Sequence, residues 1–413
     1  MATCNASTNV LDRQDDGVGP AIRGNGNLLA EELRQLFLAI EDEPLLNKLQ
    51  SYRWTGRLGY SLRSLWRAYL ASYVLALPNT MALVRRLHED PVLAMTCGFD
   101  GRLPSRWTFN RFFSRLSEHR DLVQQCLDNL TAGLYDLLPG FGSDVAVDST
   151  TVRTHSNPHR QPVSDPEASW TAKSRRNDRE KEWYFGYKLH LAVDATYELP
   201  IGMRTTTASR NDSPELLPLL RKAKSRFPWF TPTSVIADAG YDSKANCRGI
   251  YHGFGAKPII QARNLERAHT MPTYNKDGVP YCLGRKLMEY MGTHPVYGHR
   301  YRCPREGCHL KKRKGVHYCD DEVWVQPEED LRLIGPVARV SPEWKRLWSM
   351  RSAVERVNSR LKECRRLESH CFRGLRKVAL HCLLSVLVLQ ALALVHAETG
   401  TLGGLRRCVL KVA

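Results

Sequence analysis

The stretch YKLHLAVDATYELPIGMRTTTAS, residues 187–209, carries alternating apolar and polar side chains on either side of a short polar interruption. A period of two, β-branched and aromatic residues, and a break near Ala195 to Glu198 predict two strands joined by a tight turn. Upstream, SDVAVDSTTV (143–152) repeats the β-branched alternation. Downstream, PELLPLLRKAKSRF (214–227) has the spacing of an amphipathic helix, and TSVIADAGYDS (233–243) is a further apolar run stopped by Gly240. Strands, a helix and another strand predict a mixed α/β sheet. The polar, basic stretch 157–183 lacks periodicity and reads as a loop.

Residues 1–26 are rich in Gly, Asn, Asp and Thr and read as a disordered tail. Residues 27–140 read as helical: LLAEELRQLFLAI (28–40) puts Leu29, Leu33, Leu36 and Phe37 on one face, and LRSLWRAYLASYVLAL (62–77) repeats the stripe. LPSRWTFNRFFSRLSEH (103–119) resembles the end of a helix-turn-helix, with Phe109, Phe112, Phe113 and Leu116 inward and Arg106, Arg111 and Arg115 outward. Residues 263–342 carry short β-like runs with cysteine, tyrosine and basic residues, an insertion between the sheet (141–262) and the final helices (343–413).

The charge balance concerns partners rather than fold. Sixty Lys and Arg against 43 Asp and Glu leave +17, which points to a polyanion such as DNA. The clusters SRRNDREK (174–181) and KKRK (311–314) are ordinarily solvated but suit phosphates on such a protein. No apolar signal segment follows the first residues, and the scattered cysteines suit a reduced, cytoplasmic protein. VALHCLLSVLVLQALALVHA (378–397) is long enough to cross a bilayer, yet it contains His381, Ser385, Gln390 and His396. A helix buried in a large core, with no membrane partner, is the expectation.

Two carboxylates are read at the ends of apolar strands: Asp148 closes DVAVD and Asp238 closes SVIAD. Strand ends open into the ligand crevice of α/β proteins, and carboxylates converging there suit Mg²⁺ or Mn²⁺. A third acid would come from a helix beside them. In RSAVERVNSRLKE (351–363), Arg351, Glu355 and Lys362, with Trp348 before them, share one face of a continuous helix. The bland alternative is an Arg351–Glu355 ion pair on a solvated face.

Asp148 in VAVDST, Asp238 in DAGYD, then Trp348, Arg351, Glu355 and Lys362 together resemble the DDE transposases of bacterial insertion sequences. The match is to the insertion-sequence-four-like group with a Tyr-x2-Arg-x3-Glu-x6-Lys signature, Trp348 standing where that signature has tyrosine. The resemblance covers residue 144 to about 395, and the helical region more loosely. It implies an RNase H-like core, two divalent ions held by Asp148, Asp238 and Glu355, and cleavage and strand transfer at transposon ends. Arg351, Lys362 and Trp348 would contact DNA, a dimer would form on it, and the protein would act in the bacterial nucleoid. Asp242 is the rival for Asp238 and is disfavoured because it lies past Gly240. Asp144 reads as structural, Asp194 as a turn residue and His155 as a loop histidine. A non-catalytic DNA-binding descendant is the alternative function. Cys282, Cys303, Cys308, His309, His317 and Cys319 raise a structural zinc, but their loose spacing favours ordinary thiols.

Overall fold

The computed structural model describes residues 25–52, 59–174, 181–263, 273–304, 322–327 and 330–406. Residues 1–24 of the expected tail lie outside them, and Asn25 already begins α1 (Asn25–Ala39). Then come α2 (Glu43–Gln50), α3 (Leu62–Val74), α4 (Thr80–Glu89), α5 (Pro91–Thr96), α6 (Arg106–Glu118) and α7 (Arg120–Leu137). Local chemistry sets several starts. Ser61, Asn79 and Asp90 each accept a backbone N–H from the first turn of α3, α4 and α5, and Pro91 occupies the first turn of α5. Leu29, Leu33, Leu36 and Phe37 are buried as expected, as are Phe109, Phe112, Phe113 and Leu116 of α6.

The main sheet contains β1 (Asp144–Arg153), β2 (Ser169–Ser174), β3 (Lys181–Asp194), β4 (Leu199–Thr207), β5 (Ser234–Ala237) and β6 (Lys257–Ile260). Its order is β2-β3-β1-β5-β6, with β4 also on β3. β1 runs antiparallel to β3 and parallel to β5, which is parallel to β6. The crossovers are α8 (Leu216–Arg226) and α9 (Lys244–Phe254). This is the mixed sheet expected of an RNase H-like core. The hairpin between β3 and β4 turns at residues 195–198, where Asp194 accepts N–H groups from Thr196 and Tyr197.

The stretch 157–183 departs from the expected loop. It contains β2, and β3 starts at Lys181, so the two form a ribbon with Trp170 opposite Phe185 and Ala172 opposite Trp183. Periodicity failed to reveal it because both faces of the ribbon carry polar or exposed side chains. Gly186, where the ribbon joins the sheet, has no alternative: a Cβ there would lie 2.3 Å from the Val152 carbonyl oxygen.

After β6, a small antiparallel sheet of β7 (Glu289–His294), β8 (Gly298–Arg302) and β9 (Glu322–Val325) builds the β-rich insertion. Val279, Met288, Tyr301, Cys303, Val325 and Ile334 form its own core, apart from the main one. Then follow α10 (Pro342–Ser349), α11 (Ser352–Cys364) and α12 (Leu375–Glu398).

The long apolar run is α12, and it is a core helix: 94% of its most apolar window is buried in the protein. It packs against α7, β4, α1, α3 and α6, so the helical region and the sheet share one continuous core. Its polar residues are satisfied inside. His381 Nδ1 meets the Tyr73 hydroxyl at 2.7 Å, Ser385 donates to the Arg365 carbonyl at 3.0 Å, and Gln390 accepts from Thr131 at 2.8 Å. At its start, Asp165 and Glu167 accept the Gly374 and Leu375 N–H groups, favourable for helix ends with free donors.

Candidate active site

The parallel pairing of β1 with β5 ends at Val147 opposite Ala237, so Asp148 and Asp238 leave the two strands side by side. Asp238 does close its strand. Its Oδ1 accepts the Gly240 N–H at 2.8 Å and starts a short 3₁₀ turn. A Cβ at Gly240 would stand 2.7 Å from that oxygen, so a larger residue there would push the Asp238 carboxylate aside. Asp148, by contrast, is not at a strand end: β1 runs on to Arg153 because β3 keeps pairing with it as far as Gly186. The edge that ends at Asp148 is only the one shared with β5.

Behind this pair lies a polar layer that the sequence did not disclose. Ser149, Lys188 and His190 share the opposite face of the sheet by strand alternation. Asp212 accepts Ser149 Oγ at 2.9 Å and Lys188 Nζ at 3.0 Å. His190 Nε2 meets Thr206 Oγ1 at 2.9 Å, while burial pulls the imidazole down to about 4. Tyr241 is buried, with Ser149 as the side-chain hydrogen-bonding group beside its hydroxyl. Burial first, then the charges of Asp148, Asp212 and Asp238, push its pKa well above the ordinary phenol value. Asp212 was illegible because Asp-Ser-Pro ahead of an apolar helix reads as a helix start. In the fold its carboxylate does not cap that helix and turns towards Lys188 instead.

Glu355, the expected third acid, sits on α11, which packs on β1 and β3. Asn358 Nδ2 lies 3.4 Å from Asp148 Oδ2, and Glu355 is one turn earlier on the helix. Glu355 is half exposed, and its carboxylate accepts Arg351 at 2.7 Å. The structure thus brings Asp148 and Asp238 together and leaves Glu355 with Arg351. Among the described residues, no three His, Cys, Asp or Glu side chains are gathered closely enough to hold a metal ion.

The expected continuous helix from Trp348 to Lys362 is interrupted: α10 ends at Ser349 and α11 starts at Ser352. Met350 and Arg351 keep right-handed helical angles, so the common face survives the break. Trp348 stacks on Trp344 (centroids 5.2 Å apart), and the Arg351 guanidinium lies 5.5 Å from the Trp348 ring. Lys362 reaches Glu368 at 2.6 Å.

The other two arginines of this helix have a different fate. Arg356 Nε donates to Glu198 Oε1 at 2.8 Å, and Arg360 donates to the Glu198 carbonyl at 2.6 Å and to its Oε2 at 3.3 Å. Arg406 joins them at 3.4 Å, around a carboxylate 3% exposed in the β3–β4 hairpin.

The remaining acids are occupied. Asp242 is buried, clamped by Arg332 at 2.9 and 2.8 Å and by the Arg263 N–H at 2.8 Å. Asp144 accepts Ser234 Oγ at 2.5 Å, and Asp194 accepts the Gly142 N–H at 2.8 Å besides those of its turn. His155 lies in the loop after β1. Of the cysteine and histidine set raised for zinc, Cys303 is buried in the insertion's apolar core with Cys282 packed against it. Cys308, His309, His317 and Cys319 lie outside the described residues.

Two protein-family models match the chain. One, described as "Transposase DDE domain", matches residues 139–390, from just before β1 into α12. The other, described as "Transposase domain (DUF772)", matches residues 25–115, which span α1 to most of α6.

Proposed function

The chain belongs to the DDE transposases of insertion sequences, and we propose that it binds the ends of its element, cleaves DNA there and transfers the strand. Asp148, Asp238 and Glu355 are the acids assigned to this chemistry. The observation that carries the reading is the emergence of Asp148 and Asp238 from adjacent parallel strands beneath the helix that bears Glu355. Asp242 is unsuited because both of its oxygens are already clamped by Arg332.

The residues fit a hard divalent cation: the donors are carboxylate oxygens, and the charges of Asp148 and Asp238 both act on the buried Tyr241 hydroxyl nearby. Asp148, Asp238 and Glu355 would hold Mg²⁺ or Mn²⁺, two ions on the family's pattern, which when bound activates the attacking oxygen and steadies the leaving one. The chain's own residues do the rest. Asn358 holds Asp148 in place from α11. Glu355 must leave Arg351 to turn towards the strand edge, and a DNA phosphate is the natural new partner for the freed guanidinium. Lys362, two turns further along the same face, reaches the next phosphate outward, and Trp348 supports Arg351 from below.

We assign residues 27–140 to end binding, 141–262 and 343–413 to the catalytic core, and 263–342 to the insertion. Two copies on DNA and residence at the nucleoid follow from handling paired ends. The group with the Tyr-Arg-Glu-Lys signature is the subgroup this face suits.

The test is incubation with DNA flanking the encoding locus, with and without Mg²⁺, and mapping of the cut ends. Asp148→Asn and Asp238→Asn should abolish cutting and keep DNA binding. Normal cutting by Asp238→Asn would overturn the assignment of the second acid.

A further inference from the structure

The β2–β3 ribbon extends the strand that flanks Asp148 and leaves an aromatic face uncovered. Trp170 and Trp183 are 43% and 59% exposed, unusual for the largest apolar side chain. They meet edge to face at 6.5 Å, and Phe185 lies 5.2 Å from Trp170. The cross-strand pairs Trp170–Phe185 and Ala172–Trp183 put these rings on one face, and alternation puts exposed Lys181 there too.

The loop that follows β1 borders this face. His159 reaches the Trp170 ring at 6.0 Å. The same loop lines an open cleft of about 770 Å³ that holds Arg160 and Arg373 among serine, threonine and asparagine side chains. Arg373 is steadied there by donating to the His155 carbonyl at 2.8 Å.

Aromatic rings open to solvent beside a basic, polar cleft are the two components of single-strand recognition: π-faces for bases and cations for the backbone. A paired duplex hides its base faces, so such a platform is useful only where bases are unstacked. We infer that the Trp170–Trp183–Phe185 face stacks unpaired DNA bases, with Arg160, Arg373 and Lys181 taking the adjoining phosphates. The inference rests on the proposed action on DNA and deepens it: the ligand is single-stranded or frayed DNA beside the cut, not the duplex.

The test uses full-length protein and two oligonucleotide duplexes from the flanking DNA, one blunt and one with an unpaired 2-aminopurine next to the end. Wild type should bind the unpaired form more tightly and quench its 2-aminopurine fluorescence. The double substitution Trp170→Ala, Trp183→Ala should weaken that binding by about tenfold and abolish quenching, with blunt-duplex binding unchanged. Trp170→Phe with Trp183→Phe, which keeps the π-faces and guards against a folding artefact, should restore most of both. Equal losses on both duplexes, or none, would overturn the platform. So would a change in oligomeric state on sedimentation with DNA binding intact, because the face would then be a contact between copies. Failure of wild type to bind either duplex would instead sink the proposed function itself.

Discussion

From its N-cap Arg351 to Lys362, helix α11 carries basic residues into two different settings. On one side Arg356 and Arg360 converge on buried Glu198, and on the other the half-buried Arg351 and Lys362 pair with the exposed carboxylates Glu355 and Glu368. Arg360 is 9% exposed and Glu198 3%, whereas Glu355 is 50% exposed. The inner set fixes the helix to the β3–β4 hairpin and so fixes its height above Asp148. The outer set makes ion pairs that water and salt weaken, so its members can exchange partners at little cost. Charge alone does not distinguish a structural arginine from one free to meet a ligand. Burial of its carboxylate does.

The largest contrast comes from removing the acid on each side. Glu355→Gln should reduce DNA cleavage by roughly a hundredfold or more, through loss of an ionised oxygen, and leave the urea midpoint unchanged. Glu198→Gln should do the reverse. It strands the buried Arg360, while Arg356 and Arg406, more than half exposed, relax into water. A loss of about 3 kcal/mol in unfolding free energy is expected, with cutting reduced only as far as the folded fraction falls. A Glu198→Gln protein as stable as wild type would break the distinction.

The same contrast explains what could be read in advance. Asp238 was legible because an apolar run ended at it, and α12 because polar residues interrupt an otherwise spanning run. The β2–β3 ribbon was hidden, since an exposed two-stranded ribbon has no apolar face to alternate with a polar one. Asp212 and Glu198 were hidden for another reason. Each sits in a turn, where Asp and Glu are ordinary, and only the tertiary fold brings Lys188 to one and three arginines to the other. The break at Met350 was equally unreadable, because the sequence there has neither Gly nor Pro.

Acid should act on the buried histidines. Burial lowers His190 and His370 to about 4 and holds His381 well below its ordinary value of 6.5. The folded protein keeps these rings neutral, while the unfolded chain takes up protons as pH falls below 6.5. Their contribution is therefore complete above that pH and is lost progressively towards pH 4. Buried Asp194, whose carboxyl is shifted upward by burial, works in the opposite direction at the acid end of that range. Urea titrations at several pH values should show unfolding free energy rising from pH 4 to 6.5. A flat profile would mean that these rings gain charge without leaving the core.

Lys362→Ala probes the outer set more gently. Its partner Glu368 is 41% exposed, so the ion pair itself contributes little to stability. If Lys362 meets a phosphate, end binding should weaken and the slope of log affinity against log salt should fall by about one. An unchanged slope would leave Lys362 as a surface charge only.

The smallest effect expected is at Trp348, where tyrosine stands in the signature this face resembles. Two roles are possible for that ring. It can act through its π-face, supporting Arg351 at 5.5 Å while stacking on Trp344, or through a polar edge aimed at DNA. Tyrosine offers a π-face of similar kind but a different donor in a different place. If the face is what matters, Trp348→Tyr should change end binding by less than about twofold and stability by no more than about 0.5 kcal/mol. Trp348→Ala should then cost more in both, since it removes the support under Arg351 and frees that arginine to hold Glu355 in other geometries. A Trp348→Tyr protein that binds ends much more tightly than wild type would show that the hydroxyl contacts DNA. Trp348 would then be a lost contact, and the outer face of α11 would be one ligand short rather than complete.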